Sequence, residues 1–283
     1  MKLAAFSGVL IDHSIQEAMH LTKKIGFDGI EIAAREPHLS ATTSAARIKE
    51  MRAVADGIGL EIPVIAGYMG GFSTGSDKDS EQAFSDFQRI LEASGTLGAD
   101  FIRVNAGGPN AFLAQNYHYE KAAFWLRKCA VEAAKLNKSI VLEIHNVSLA
   151  ESVESGLRLV ELVGESNIGL IHDAGNMYIT DTDYGRDSVI GLGKRMFHVH
   201  VKDEKRVAET GAPGTFANLT KHGNEKFLQC RLGEGGADHQ PLFDALKETG
   251  YNGWITLECH APFPAVERLE HDLSKVKQML GLA

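Results

Sequence analysis

Four apolar segments of the chain end in a carboxylate or an imidazole. They are VLEIHN with Glu143, GLIHDAGN with Asp173, FHVHVKD with His200 and WITLECH with Glu258. Carboxylate oxygens and one imidazole nitrogen suit a hard or borderline cation such as Mn²⁺ or Mg²⁺, and Co²⁺ and Zn²⁺ are also compatible. If the four segments are strands whose ends meet, the sequence predicts one divalent metal ion held by three carboxylates and one His.

A centre of this kind could activate a ketone that lies next to a hydroxyl. A ketose can chelate the ion through its carbonyl and hydroxyl oxygens, which polarises the C=O bond and acidifies the adjacent C–H. If Glu143 and Glu258 stand on opposite faces of the substrate, one can remove a proton while the other returns one from the far side. Epimerisation through an enediolate results, whereas return to the neighbouring carbon gives aldose–ketose isomerisation. Glu143 and Glu258 are therefore candidate catalytic residues as well as ligands.

The four segments belong to a longer alternation of strands and helices. Stretches between the strands repeat their apolar residues at intervals of three and four, which is typical of amphipathic helices. Strand and helix alternating throughout predict a parallel sheet covered by helices. The candidate strands are 2–7, 29–34, 61–66, 100–105, 139–145, 168–173, 196–202 and 254–259, and the candidate helices include 14–26, 45–59, 80–98, 120–137 and 239–250.

Two α/β architectures compete for this alternation, a doubly wound Rossmann sheet and a closed barrel. After the first strand the chain reads SGVLIDH, without the GxGxxG turn of a dinucleotide-binding sheet. Eight strand-helix units and 283 residues favour a (β/α)8 TIM barrel. In such barrels the chemistry lies at the carboxyl ends of the strands, where the four candidate ligands fall. We therefore expect residues 1–283 to form one TIM-barrel domain.

One connection and several helix ends carry more specific predictions. The 58 residues between His200 and Glu258 exceed the 30 and 27 that separate the earlier ligands, which predicts a long loop insertion at about 204–231, able to cover the site. Glycine adopts a left-handed conformation without a Cβ clash, so glycines are predicted to end four helices. These glycines are Gly26, Gly57, Gly98 and Gly250.

Composition limits the classes of partner. Hydrophobic residues make up 44% of the chain, without a run long enough to span a bilayer, so no membrane partner is expected. A net charge of -8 disfavours nucleic acid, which needs clustered Lys and Arg. Three cysteines without CxxC spacing suggest neither a disulfide framework nor a thiolate zinc site, which favours a cytoplasmic location. The expected partner is a small sugar or polyol, and a homo-oligomer is left open.

Four blocks of the chain follow a known pattern. They are LEIH at 142–145, HDAGNM at 172–177, HVHVKD at 198–203 and RLGEGGADHQPLFDALKETGYNGWITLE at 231–258. In this order and spacing they resemble the xylose-isomerase-like barrel superfamily, often called the sugar phosphate isomerases/epimerases. The resemblance covers most of the chain and implies a TIM barrel with one divalent ion held by Glu143, Asp173, His200 and Glu258.

Two further candidates follow from this resemblance. Arg206 lies six residues past His200, a spacing similar to that of the ketose 3-epimerases, where an Arg meets the substrate. At Asn176, ketohexose 3-epimerases carry a His that contacts the substrate, and the apurinic endonucleases of the superfamily also carry His. Asn resembles instead the broad isomerase/epimerase and inosose-dehydratase-like members, which argues against a trinuclear zinc nuclease. We expect Asn176 and Arg206 to bind substrate.

The residues around the ligands suggest additional contacts. His145 shares a strand face with Glu143 and could reach a substrate oxygen or orient a carboxylate. Lys202 could contact a substrate oxygen or phosphate, or pair with Asp203. Both are counted as substrate-binding candidates. His198 lies deeper than His200 and is predicted to be a hydrogen-bonded core imidazole.

Two residues at strand ends have open interpretations. Glu31 ends the second strand, where it could bind sugar hydroxyls or form a salt bridge with a barrel Arg or Lys. Tyr68 follows the third strand, where it could stack on a sugar. Both would lie on the same side of the barrel as the candidate ligands.

Three classes of function remain compatible with these residues. The first is a metal-dependent isomerase or epimerase of a keto-sugar or related polyol ketone. The second is a lyase resembling inosose dehydratase, which would use the same metal and carboxylates and a general acid to expel the β-hydroxyl as water. The third is a sugar-binding barrel without turnover or an apurinic endonuclease-like protein. The sequence favours the first.

Overall fold

Eight parallel strands close into a barrel in the computed structural model, which describes residues 1–282. Barrel strands that follow each other in the chain are also neighbours in space, and the first strand pairs with the last to close the barrel. The prediction of a (β/α)8 TIM barrel is confirmed. The barrel strands are β1 (Lys2–Phe6), β2 (Gly29–Ala33), β3 (Val64–Gly70), β4 (Phe101–Asn105), β5 (Ser139–Glu143), β6 (Ile168–Asp173), β7 (Met196–Val201) and β11 (Trp254–Leu257).

Helices follow the strands and pack their apolar faces on the outside of the barrel. Strand residues such as Ile30, Ile65, Ile102 and Ile140 are fully buried. Their burial removes apolar surface from water, which is the largest favourable contribution to the free energy of folding. Within residues 1–282, no helix is both long enough and apolar enough to cross a bilayer. The helices are α1 (Ile15–Ile25), α2 (Ala45–Ile58), α3 (Asp77–Leu97), α4 (Asn116–Lys135), α5 (Val153–Val163), α6 (Ala174–Ile179), α7 (Arg186–Leu192), α8 (Gln240–Glu248) and α9 (Ala265–Leu280).

The predicted helix ends are right at three glycines and wrong at one. Gly26, Gly98 and Gly250 have positive φ angles of 105°, 79° and 68° and follow α1, α3 and α8. Gly57 does not end a helix, because α2 continues to Ile58. The left-handed residue is Gly59, with φ 62°, whose amide donates to two carbonyls of the last turn.

The third strand begins later than the sequence suggested. The prediction placed it at 61–66, whereas β3 begins at Val64 and continues to Gly70. Glu61 forms an isolated bridge to Gly29. Pro63 lies between that bridge and the strand, and it has no amide hydrogen to donate to a ladder. The continuous pairing with β2 therefore starts beyond the proline.

The insertion after β7 is a small antiparallel sheet where the sequence predicted a long loop at 204–231. Its strands are β8 (Asp203–Arg206), β9 (Thr215–Thr220) and β10 (Gly223–Cys230), in the order β8-β10-β9. Polar residues interrupt these strands, so they lack the apolar runs that marked the barrel strands. Pairing between the strands supplies the hydrogen bonds that a structureless loop would leave to water.

Asp203 fixes the insertion to the segment that returns to the barrel. Its carboxylate accepts hydrogen bonds from the amides of Gly233 and Gly235 at 2.9 Å and of Ala237 at 3.2 Å. A Cβ on Gly235 would lie 2.0 Å from Asp203 Oδ1, so only glycine allows this approach. The interactions explain why Asp203 is not available to pair with Lys202.

Candidate metal centre

The four predicted ligands meet at the carboxyl ends of neighbouring strands. Glu143 ends β5, Asp173 ends β6, His200 lies near the end of β7, and Glu258 follows β11. The strand register places Asp173 beside His200, and His200 beside Thr256. One donor atom of each residue lies within 4.8 Å of the donor atoms of the other three. The barrel thus brings the complete predicted set together.

His200 Nδ1 is the nitrogen that faces the carboxylates. It lies 3.3 Å from Glu143 Oε1, 3.4 Å from Glu258 Oε2 and 3.9 Å from Asp173 Oδ2. Ligands held at about 2.0–2.2 Å from one ion, at right angles to each other, are separated by about 3 Å. The separations therefore need only small side-chain movements to match a coordination sphere.

Two carboxylate oxygens of the donor set lack a hydrogen-bond donor among residues 1–282, and a bound cation would interact with both. Asp173 Oδ2 and Glu258 Oε2 are buried and accept no hydrogen bond from the residues described. A buried carboxylate oxygen without a partner is costly. Three carboxylates and one imidazole also match the ligand preference of Mn²⁺ or Mg²⁺ and tolerate Co²⁺ or Zn²⁺. The residues present therefore fit one divalent ion.

Lys202 lies beside the same carboxylates. Its Nζ is 3.0 Å from Asp173 Oδ2, 3.6 Å from Glu258 Oε2 and 3.8 Å from Glu143 Oε1, although the approach to Asp173 lacks hydrogen-bond geometry. Burial alone would lower the pKa of Lys202, but the three carboxylates raise it well above its ordinary value. The ammonium thus places a positive charge at the edge of the cluster.

Glu143 and Asp173 experience opposite electrostatic environments. Burial is the largest single influence on Glu143 and opposes its charged form, but the Arg103 guanidinium, His200 and Lys202 together outweigh burial and hold the pKa of Glu143 well below the ordinary range. Burial raises the pKa of Asp173, and Glu143 and Glu258 add to that rise against the opposing effect of Lys202. The carboxylates of the cluster are therefore not equivalent.

Arg103 belongs to this site but was not singled out from the sequence. It lies on β4, is 8% exposed, and donates through Nη1 to Glu143 Oε2. Its guanidinium also lies 5.1 Å from the centroid of the Tyr68 ring. The available signal was an Arg in the middle of the apolar segment FIRVN, because a buried charge in a strand requires a partner.

Asn176 supports a carboxylate directly. Its side-chain amide donates to Glu143 Oε1 at 3.1 Å and to the Ile144 carbonyl at 3.2 Å. Its backbone amide donates to Asp173 Oδ1 at 2.9 Å. Asn176 therefore orients both ligands, in addition to any contact with substrate.

The inner nitrogen of His200 faces a second buried group. Glu31, on β2, accepts from His200 Nε2 at 3.0 Å and from His198 Nε2 at 3.0 Å. His198 is fully buried and also lies 2.9 Å from Thr256 Oγ1, so its predicted role as a hydrogen-bonded core imidazole is confirmed. The structure supports neither a contact of Glu31 with sugar hydroxyls nor a salt bridge with a barrel Arg or Lys. Its carboxylate is fully buried and pairs with two imidazoles.

A cavity of about 290 Å³ opens beside the cluster. Its size suits a small ligand, and its walls combine carboxylate, amide, hydroxyl, imidazole and aromatic groups. His145 lines it, with Nδ1 2.6 Å from the Asn146 carbonyl oxygen. The polar residues and the aromatic residue that line the cavity include Tyr68, Arg103, Asn105, Glu143, His145, Asn146, Ser148 and Glu258.

Arg206 is engaged away from the cluster. Its Nε donates to Glu225 Oε1 at 2.9 Å, its Nη2 donates to the Tyr178 carbonyl at 3.3 Å, and its guanidinium lies 4.8 Å from the Tyr178 ring centroid. The cause is the antiparallel pairing of β8 with β10, which brings Glu225 beside it. A sequence spacing that assumed a flexible loop could not anticipate this pairing.

A sequence profile of the xylose isomerase-like TIM barrel family matches residues 19–279. Among curated relatives, the rhizopine catabolism protein MocC of Rhizobium meliloti is 23% identical over 266 residues, covering 87% of this chain and 75% of the relative. The L-ribulose-5-phosphate 3-epimerase UlaE of Escherichia coli (strain SMS-3-5 / SECEC) is 24% identical over 249 residues, covering 86% and 81%.

Solved structures of the same shape have diverse activities. The 3-keto-D-glucoside 4-epimerase YcjR of E. coli superposes with a TM-score of 0.77 at 20% identity, covering 98% of this chain and 99% of that one. The probable 3-DHS dehydratase AsbF of Bacillus anthracis gives 0.80 at 19% identity, covering 98% and 99%. The IOLI protein, whose structure holds a zinc atom, gives 0.80 at 17% identity, covering 99% and 98%. At these identities the similarity shows a common fold.

Proposed function

This chain belongs to the xylose isomerase-like TIM barrel family, and from that premise we propose that it is a divalent-metal-dependent isomerase or epimerase of a keto-sugar or related polyol ketone. The observation that carries the proposal is the convergence of Glu143, Asp173, His200 and Glu258 beside a cavity of about 290 Å³. Relatives named as sugar epimerases support the class of substrate.

Asp173 and His200 would mainly hold the ion, because both are fully buried and face the shared donor site. When bound, the ion would polarise a substrate carbonyl and acidify the adjacent C–H. Glu143 and Glu258 would bind it as well, and both also line the cavity where a substrate would lie. These two glutamates are therefore the residues proposed to transfer protons.

The hydrogen bonds distinguish the two glutamates. Arg103 holds Glu143 Oε2, and Asn176 donates to Glu143 Oε1, so both oxygens already accept. Glu258 Oε2 faces the donor site, and Glu258 Oε1 has a single long contact, 3.4 Å from His260 Nε2. Glu258 is therefore the freer base, able to take the proton from the substrate carbon as the C–H bond breaks. On the opposite face a proton would return through the Glu143 carboxylate, which would take it from water and pass it to the carbon, and loss of the Glu258 proton to water would restore the starting state.

The remaining polar groups would position the substrate. His145 lines the cavity, and Lys202 lies beside the carboxylates, so each could contact a substrate oxygen. Tyr68 is 45% exposed at the cavity wall, and its ring face could stack on the apolar face of a sugar. Asn176 would act through the carboxylates that it holds, and Arg206 is omitted because its guanidinium pairs with Glu225.

A dehydratase is the second candidate. The Lys202 ammonium lies within 4 Å of three carboxylates and could donate a hydrogen bond to a departing β-hydroxyl, which would leave as water with the proton that Glu258 took from the carbon. The similarity to a probable dehydratase of the same fold supports this alternative. The first chemical event would be the same, and the fate of the enediolate would differ.

Reconstitution with metal tests the proposal. The protein would be stripped with a chelator and reloaded separately with Mn²⁺, Mg²⁺, Co²⁺ and Zn²⁺, then incubated with keto-sugars and inosose-type ketones. We expect turnover that requires an ion, with product of unchanged mass for an epimerase or isomerase. Loss of water with a new conjugated absorbance would identify the dehydratase. Equal activity of the stripped and reloaded protein would contradict both candidates.

A further inference from the structure

A buried carboxylate lies beneath the proposed metal site, on the side away from the cavity. Glu31 is fully buried, as are His198 and His200. Glu31 Oε2 lies 3.0 Å from His200 Nε2 and 3.0 Å from His198 Nε2, and its Oε1 lies 3.2 Å from His200 Nε2. This carboxylate accordingly has both imidazoles as hydrogen-bond donors.

The contact spans the interior of the barrel. Glu31 lies on β2 and His200 on β7, and β1 and β11 separate these two strands in the sheet. The two side chains can meet only because both point inward. A fully buried carboxylate at this position requires hydrogen-bond donors, and the two imidazoles supply them.

The two ring nitrogens of His200 therefore face different groups. Nε2 faces Glu31, while Nδ1 faces Glu143, Asp173 and Glu258. A carboxylate that accepts from one ring nitrogen fixes the proton there and leaves the lone pair of the other nitrogen for a metal. The orientation of the ring is fixed by the same contact.

We propose that Glu31 is a positioning residue for the metal centre, which holds His200 with its proton on Nε2 and presents Nδ1 to the ion. The inference rests on the proposed function, because it assigns a role toward the proposed ion. Nothing in the sequence pattern of the four ligands includes Glu31, which lies more than 100 residues before the first of them.

The same three residues could be read as a second metal site, since their donor atoms lie within 4.8 Å of one another. The hydrogen bonds favour the positioning role. An ion there would displace the contacts of Glu31 with both imidazoles and compete with the Thr256 hydroxyl, 2.9 Å from His198 Nε2. A bound stoichiometry of two ions per chain would overturn the inference, whereas one ion is expected.

Metal affinity measured by chelator competition gives the main test, with Mn²⁺ and Zn²⁺ as probes. Glu31→Gln removes the negative charge with little change in volume, and we expect a dissociation constant about 10- to 100-fold higher than in the wild type. Thr256→Val is the matched control, because it removes a buried hydroxyl that contacts His198 and not His200. Its metal affinity should stay near that of the wild type.

NMR of the N–H groups of the histidine rings supplies a second measurement. A merely structural role of Glu31 would leave the His200 signals unchanged. In protein loaded with diamagnetic Mg²⁺, the Nε2–H proton of His200 should show the low-field shift of a hydrogen bond to a carboxylate, and Glu31→Gln should move it to higher field. If Glu31→Gln does not fold, Glu31→Asp carries the test, with an affinity below that of the wild type and a preserved melting temperature.

The outcomes separate the two proposals. Wild-type protein that binds none of Mn²⁺, Mg²⁺, Co²⁺ and Zn²⁺ would contradict the proposed function. Wild-type binding of one ion, with unchanged affinity and an unchanged His200 Nε2–H resonance in the folded Glu31 variants, would overturn the role of Glu31 alone. An equal loss of affinity in Thr256→Val would also overturn it, since any disturbance of the buried network would then suffice.

Discussion

Hydrogen bonds and charge distinguish the individual residues of the site more than their positions in the sequence do. Glu143 is held by Arg103 and Asn176, whereas Glu258 Oε2 lacks a donor among the residues described. His200 has one nitrogen for the carboxylates and one for Glu31. The four candidate ligands thus include one carboxylate that is held by two side chains and one that we propose is freer to exchange a proton.

Replacement of Arg103 should show how much an unpaired Glu143 carboxylate lowers the free energy of unfolding. Arg103→Met keeps an apolar side chain beside Phe6 and Tyr68 but leaves a buried carboxylate without its guanidinium. We expect the metal-free protein to lose about 3–5 kcal/mol of unfolding free energy in urea titrations.

Arg186→Met is the control for that variant. Arg186 pairs with Glu248 at the surface, where both side chains are more than half exposed. Its removal should cost less than about 1 kcal/mol, since water screens exposed pairs. Equal losses in the two variants would mean that the Arg103–Glu143 pair has no special stabilising role.

The convergence of the four candidate ligands was predictable because each lies at the end of an apolar run, a local property of the sequence. Arg103 and the partners of Glu31 were not. A charged residue within a strand does not identify its partner, and Glu31 meets His200 only across the closed barrel. The same limit applies to Arg206, whose partner Glu225 depends on the pairing of two short, polar strands.

At the scale of elements, the ends of β1 and β2 are joined by a buried histidine. Ser7 Oγ accepts from the Ala33 amide at 2.8 Å and lies 2.9 Å from His38 Nδ1. His38 Nε2 lies 3.1 Å from the His13 carbonyl oxygen and donates to it. This chain of contacts uses a neutral ring, with Nδ1 as acceptor for the Ser7 hydroxyl.

The buried His38 ring predicts how the free energy of unfolding depends on pH. Burial lowers the pKa of His38, so below the ordinary histidine value of about 6.5 the unfolded chain binds a proton that the folded chain resists. Stability is therefore lost as the pH falls through that range. Urea unfolding should show a larger loss between pH 7.5 and 5.5 in the wild type than in His38→Gln. The exposed His20→Gln serves as control, and identical pH profiles for wild type and His38→Gln would refute the prediction.

The elements themselves were largely predictable, because strand and helix periods differ and the barrel strands are mostly apolar. The insertion was not, since β9 and β10 mix polar and apolar residues over short lengths without a clear period. Their pairing depends on the turn before Gly223, with φ 103°, and on the contacts of Asp203 with the returning segment. Such contacts are not local in the sequence.

For the whole molecule, the closed barrel turns four distant segments into one site. The ligands come from β5, β6, β7 and the end of β11, which lie side by side in the sheet. Because the unfolded chain cannot hold these groups together, an ion that binds the folded protein should stabilise it. Under the proposed function, ion binding and the stability of the barrel are therefore expected to be coupled.

Thermal unfolding measures that coupling. At an ion concentration 100 times the dissociation constant, binding contributes about 2.7 kcal/mol, which for a domain of this size raises Tm by roughly 5–10 °C. We expect this rise for the wild type when a chelator is replaced by saturating Mn²⁺. Asp173→Asn removes a ligand charge and should abolish most of the rise. A rise of the same size in that variant would place the stabilising ion elsewhere.

Hydrogen exchange at the substrate carbon tests the central claim most directly, namely that the four-ligand centre supports proton transfer by two carboxylates. The ion-loaded protein would be incubated in D₂O with a keto-sugar that it turns over, and deuterium would be followed by NMR. We predict deuterium next to the carbonyl with the wild type and a loss of this exchange in folded Glu258→Gln. Turnover without deuterium entry, as in a hydride shift, or undiminished exchange in Glu258→Gln would contradict the claim.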